Sequence, residues 1–185
     1  KGYTVNYSVT TQGYGVEINA SNVTVMNCNI SGIGRGGGTQ GNAGVLISSG
    51  TNVTIFRNNI TTNGTRSNYG VNVSSGAFNV TISNNVILAR GNSSDNYGVY
   101  LGDIGNNSVL NNTIRTNGTA SNYGLYVFSG GSNVISGNSV VTAGSSSNNY
   151  GIFLRGSGNN SVLNNTVRTN GTASNNGVYL LAGGS

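Results

Sequence analysis

The chain repeats itself. The motif Gly-apolar-x-apolar appears seven times, beginning at Gly15, Gly44, Gly70, Gly98, Gly124, Gly151 and Gly177, with successive offsets of 29, 26, 28, 26, 27 and 26 residues. A second block keeps step with it: NVTVMNCNI from Asn22, NVTIFRNNI from Asn52, NVTISNNVI from Asn79, NNSVLNNTI from Asn106, SNVISGNSV from Ser132 and NNSVLNNTV from Asn159. A fixed period of this length marks a unit that cannot bury its apolar face alone and must stack on its neighbours. A coarser period of two units lies on top. Asn106 to Gly124 and Asn159 to Gly177 agree at 17 of 19 positions with an offset of 53, and TNGT recurs at Thr62, Thr116 and Thr169.

Each unit resolves into three short strands. Alternation in GVYL sends Val99 and Leu101 to one face and Tyr100 to the other, because successive strand side chains point to opposite sides. The second strand buries Val25, Ile55, Ile82, Val109, Ile135 and Val162, and the third Ile30, Ile60, Ile87, Ile114, Val140 and Val167. Helix is a poor competitor: Asn, Gly, Ser and Thr make up 107 of 185 residues, and no apolar run follows a 3.6-residue period. About 27 residues in three strands, with no helix to cover a sheet, can enclose an apolar face only by winding around it. The expectation is one all-β domain over residues 1–185, a parallel solenoid of about seven turns with successive turns roughly 4.8 Å apart.

Between the second and third strands, one position is Asn in five consecutive turns: Asn58, Asn85, Asn112, Asn138 and Asn165, with Cys28 in the first. An amide both donates and accepts, so identical amides stacked at the strand spacing can bond up the rod. This predicts an internal Asn ladder, with Cys28 as its small terminator.

The Gly-apolar-x-apolar pattern followed by NVTI-x-NN resembles the right-handed parallel β-helix superfamily, pectate-lyase-like in fold, and above all the secreted and surface repeat proteins of bacteria and archaea. The resemblance covers nearly the whole chain. It implies a right-handed winding and an extracellular or cell-surface location. It leaves activity open, because one fold of this kind carries lyases, hydrolases, tail spikes, adhesins and structural proteins.

Composition narrows the chemistry. There is no His, one Cys and one Met, and the only carboxylates are Glu17, Asp95 and Asp103. Such a chain is not expected to build a Zn or Cu site, a Ser/His/Asp triad or a carboxylate-rich Ca²⁺ cage, and no cofactor is implied. A glycosidase needs two carboxylates facing one substrate, whereas Asp95 and Asp103 are separated by a whole strand and suit turns. The net charge of +5 invites nucleic acid, yet Arg35, Arg57, Arg66, Arg90, Arg115, Arg155 and Arg168 fall at scattered positions, and only Arg115 and Arg168 share a column. No phosphate track is expected. No apolar run reaches the length of a membrane span, so no insertion is expected either.

Three outward features remain. The middle position of the first strand reads Glu17, Leu46, Asn72, Tyr100, Tyr126, Phe153 and Tyr179, whose last four form an aromatic stripe able to contact sugar rings or a partner, or simply to stack on itself. A second set, Tyr14, Tyr69, Tyr97, Tyr123 and Tyr150, precedes the strand Gly and suits a corner stack. Sixteen N-x-Ser/Thr sequons occur, and those at Asn63, Asn117 and Asn170 recur in the TNGT segments as candidate glycosylation sites. Thr24, Thr54, Thr81, Ser108 and Ser161 make an outward hydroxyl column, a weak pointer to ice binding.

The last residues, LLAGGS, correspond to VFSGGS within the chain, and the segment after that internal copy resembles the first residues, with Asn6 falling beside Asn138. The expectation is head-to-tail stacking of chains, or excision from a longer solenoid, since neither terminus shows a capping helix. The leading functional reading is an extracellular structural protein, a component of a surface layer or filament built by end-to-end stacking. A carbohydrate-binding or adhesive module of a larger secreted protein is the alternative, and a polysaccharide-degrading enzyme comes third.

Overall fold

The structure is a computed structural model and describes residues 3–9, 13–34, 41–102, 105–156 and 158–181. Eighteen strands fall into three columns among these residues. The first column holds β2 (Tyr14–Ile18), the leading parts of β5 (Asn42–Phe56) and β7 (Asn68–Ser83), then β9 (Tyr97–Gly102), β12 (Tyr123–Phe128), β15 (Tyr150–Arg155) and β18 (Val178–Leu181). The second holds β3 (Thr24–Met26), the trailing parts of β5 and β7, β10 (Ser108–Leu110), β13 (Val134–Ser136) and β16 (Ser161–Leu163). The third holds β1 (Thr4–Val9), β4 (Asn29–Gly34), β6 (Asn59–Gly64), β8 (Val86–Gly91), β11 (Thr113–Gly118), β14 (Ser139–Gly144) and β17 (Thr166–Asn170). Every pairing is parallel and joins a strand to its counterpart in the next turn. Two columns are therefore seven strands deep and the second is six, close to the expected turn count.

The core is the stack that alternation predicts. Ile30, Ile60, Ile87 and Ile114 are fully buried over one another on the third column, and Ile55, Ile82, Val109 and Ile135 on the second. Val25, Val162 and Val167, at the two ends of these columns, are only half-buried. The strand glycines are required by closeness rather than by dihedral angle. A Cβ on Gly98 would lie 2.2 Å from Ile114 Cγ2 and 2.5 Å from the carbonyl oxygen of Gly124.

Two details differ from the sequence reading. The first and second strands of β5 and β7 run on without a break, because Ser49 to Thr51 pair directly with Gly76 to Phe78, with a bulge after Ile47 absorbing the longer repeat. The register of the first strand also differs. Thr4 pairs with Asn29 and Asn6 with Ser31, so Tyr3, not Asn6, is level with Cys28 at the ladder position. The physical reason is that Val5 takes the core position over Ile30, which fixes the strand three residues away from the anticipated phase.

Candidate functional site

The expected amide ladder is present. Asn58, Asn85, Asn112 and Asn138 each donate both the backbone N–H and Nδ2 to Oδ1 of the Asn one turn on, at 2.8 to 3.1 Å, ending at Asn165. Each Nδ2 also donates to a carbonyl of the preceding turn, as Asn112 does to Ile82 at 2.8 Å. Cys28 opens the column: its N–H donates to Asn58 Oδ1 at 2.9 Å and its thiol to the Met26 carbonyl.

The other two corners carry ladders as well, which the sequence reading missed. Asn42, Asn68, Asn96, Asn122, Asn149 and Asn175 form one, with Nδ2 to Oδ1 distances of 2.7 to 3.5 Å. Asn107, Asn133 and Asn160 form the other, which begins with the N–H of Val80 on Asn107 Oδ1. Apart from Gly41, the residue before each ladder amide is left-handed, as at Arg57, Asn84 and Asn111 in the first corner, Ser67, Asp95 and Ser121 in the second, and Asn106, Ser132 and Asn159 in the third. Asn and Asp tolerate that conformation better than most other side chains, which is one reason the corners consume so much Asn.

Asp95 is one of these corner residues. Its φ is 64°, and its N–H donates to the Ala120 carbonyl at 3.2 Å. Glu17 is exposed on β2, several turns away in the stack, and Asp103 lies outside the described residues, as do Lys1 and Arg35. Among the described residues no group of three or more His, Cys, Asp or Glu comes together, and no helix is long and apolar enough to cross a membrane.

The two aromatic sets merge into one double column. Tyr126 stacks on Phe153 at 4.9 Å and Phe153 on Tyr179 at 5.1 Å, while Tyr69 stacks on Tyr97 at 4.8 Å and Tyr123 on Tyr150 at 5.5 Å. Cross contacts join them, Tyr123 to Tyr126 at 5.3 Å and Tyr150 to Phe153 at 5.3 Å. In consequence Tyr126 and Phe153 are only 8% and 7% exposed, although alternation sends them outward. Tyr100 and Tyr179 are half-buried, so contact with sugars through this stripe would have to use what these two rings leave accessible. Burial pushes the Tyr69 phenol up to about 12, helped by Tyr100 and Asp95, and pushes those of Tyr7 and Tyr97 higher still.

The hydroxyl column is in register as Thr24, Thr54, Thr81 and Ser108, then broken by Val134 before Ser161. Asn63, Asn117 and Asn170 are exposed at the ends of their strands and share one column on the outer side of the third sheet, in the order Asn63, Arg90, Asn117, Ala143, Asn170. The structure thus sets Arg90 between two sequon amides. Around it lies a groove of about 450 Å³ lined by Asn63, Arg90, Asn92, Asn117, Thr119 and Ser145, with Gly91 and Gly118 in its wall. Sequence reasoning treated Arg90 as scattered because no other Arg shares its column.

Residues 14–185 match the family described as right handed beta helix region, and the chain belongs to that family; its winding is right-handed. Among solved structures it is similar to the A-modules of two Azotobacter vinelandii mannuronan C-5 epimerases, AlgE4 at 18% identity and AlgE6 at 17%, each with a TM-score of 0.54. The likeness covers 98% of this chain but 57% and 58% of those modules, so the chain spans little more than half their length. No curated protein sequence matches it.

Proposed function

We propose that the chain is a non-catalytic structural element of an extracellular or cell-surface assembly, a stiff β-helical rod that extends by end-to-end pairing into a layer or filament. The observation that carries this reading is the turn-to-turn pairing itself: each strand joins in parallel to its counterpart in the next turn, and amides and rings are bonded or stacked along the same axis. Strands stacked in this way offer the same pairing to the next chain as to the next turn. The use of Asn and Tyr as inter-turn mortar, with Asp95 held in a corner, also favours support over chemistry.

At such a junction β1 of a second chain pairs over β17, and the ladder does not pass through Asn6. The test is negative-stain imaging with sedimentation over a concentration series. Rods that lengthen with concentration, and that shorten when Val178→Lys and Leu180→Lys are combined, support the reading. A species of constant size, unaltered by those changes, overturns it.

A further inference from the structure

The groove around Arg90 is a built polar site that the structural role does not use. Its floor is rigid. A Cβ on Gly91 would meet Asn96 Oδ1 at 2.4 Å and Asn68 Nδ2 at 2.6 Å, and one on Gly118 would meet Asn96 Nδ2 at 2.3 Å and Asn122 Oδ1 at 2.5 Å, so the second-corner ladder packs directly beneath. The loops that form its side are tied turn to turn: Asn92 N–H to the Gly64 carbonyl at 3.2 Å, Thr119 N–H to the Ser93 carbonyl at 3.0 Å, Ser146 N–H to the Thr119 carbonyl at 2.8 Å, and the Thr119 hydroxyl to the Asn92 carbonyl at 3.1 Å. Groups held in this way lose little freedom when a ligand arrives.

The lining is a guanidinium flanked by amides and hydroxyls. Arg90 is exposed, and no carboxylate among the described residues forms an ion pair with it. Asn63 and Asn117 stand one turn to either side of it in register, roughly 9.6 Å apart at the spacing of parallel strands. Guanidinium chemistry selects a carboxylate or sulfate oxygen pair, and flanking amides suit the hydroxyls of a sugar. We infer that this groove binds an acidic glycan, with an anionic group of one sugar on Arg90 and the hydroxyls of its neighbours on Asn63, Asn117 and Thr119. The same two asparagines are sequons, and a glycan attached to either would fill the groove, so binding belongs to the unmodified amides.

This inference stands apart from end-to-end assembly, since the groove lies on the side of the rod. The experiment is calorimetric titration of the full chain, expressed without glycosylation, with oligogalacturonate, with sulfated dextran oligosaccharide and with uncharged dextran. Arg90→Gln is compared with Arg168→Gln, which removes the same charge three turns further along the same sheet. Circular dichroism checks that both variants fold. The expected result is binding of one or both acidic ligands and not of dextran, weakened at least tenfold by Arg90→Gln and less than twofold by Arg168→Gln, with Asn63→Ala plus Asn117→Ala also weakening it. Preference for the carboxylated or the sulfated probe identifies the acid. Absence of binding by both acidic ligands, or equal loss in the two Arg variants, overturns the proposal.

Discussion

Replacing Asn112 by Ala removes a central rung of the first-corner ladder. The side chain is 1% exposed and makes four hydrogen bonds: Oδ1 accepts from Asn85 N and Nδ2 at 2.9 and 3.0 Å, and Nδ2 donates to Asn138 Oδ1 at 3.0 Å and to the Ile82 carbonyl at 2.8 Å. After truncation Asn85 Nδ2 keeps the Ile55 carbonyl and Asn138 Oδ1 keeps the Asn112 N–H. The Asn85 N–H and the Ile82 carbonyl lose these partners in a buried setting. An orphaned buried group costs about 1 to 3 kcal/mol, so the expected loss is about 4 kcal/mol. Asn165→Ala, at the half-buried end of the same column, strands groups that water can reach and is expected to cost about 1 to 2 kcal/mol. Urea unfolding followed by circular dichroism measures both, with the denaturant slopes compared because a stacked rod can unfold in parts. Equal losses in the two variants, or a loss at Asn112 below about 1 kcal/mol, would refute the idea that the buried amides hold the turns together. Asn112→Asp sharpens the test. It keeps the shape but substitutes acceptors for the Nδ2 donor, and burial raises the folded-state pKa of the new carboxyl above its unfolded value. The stability of this variant is therefore fully present below about pH 4 and lost as pH rises through the folded-state pKa.

Gly98→Ala should destabilise the chain by about 2 kcal/mol or more through overpacking against Ile114 and the Gly124 backbone, while Gly158→Ala, which meets nothing within 4 Å, should change stability by less than about 0.5 kcal/mol; denaturant midpoints decide. Phe153→Ala removes a buried ring between Tyr126 and Tyr179 and should cost about 3 to 5 kcal/mol by thermal or urea unfolding, far beyond what an exposed contact residue would cost. Alkaline titration followed by phenolate absorbance should show part of the tyrosine signal delayed until the fold is lost. Tyr69, held up to about 12, and Tyr7 and Tyr97, held above that, ionise only as the fold is lost. The sign is set by pKa values raised on folding: their contribution is complete below the unfolded value and disappears as pH climbs through the folded one. A single wave near pH 10 would show that the array is not buried.

Much of the fold was legible in the sequence because a solenoid writes each column as a period. The three strands, their buried Val and Ile, and the ladder from Asn58 to Asn165 could all be read from spacing. The ladder from Asn42 to Asn175 is as regular in the sequence, two residues before each strand Gly, but its Asn stand among other Asn and Ser of the same loops, and only the structure shows which amides turn inward. The third ladder was harder, since Val23, Val53 and Val80 occupy its column in the earlier turns and only three Asn follow. Period-two alternation correctly sent Tyr126 and Phe153 outward but could not show that Tyr97, Tyr123 and Tyr150 would cover them, because burial there comes from a neighbouring column. The groove escaped for a similar reason. Arg90 gains its meaning from Asn63 and Asn117, about 27 residues to either side, and only the strand register puts them beside it.

In-register stacking can be measured across the rod with spin labels at Asn63→Cys and Asn170→Cys, in a chain whose native thiol is removed by Cys28→Ser. These residues are 107 apart in sequence but four pairings apart in one exposed column. Four steps at the strand spacing give about 19 Å, and electron spin resonance should return one narrow distribution near that value. A broad distribution, or one centred beyond about 35 Å, would contradict the register on which the ladders, the aromatic column and the groove all depend.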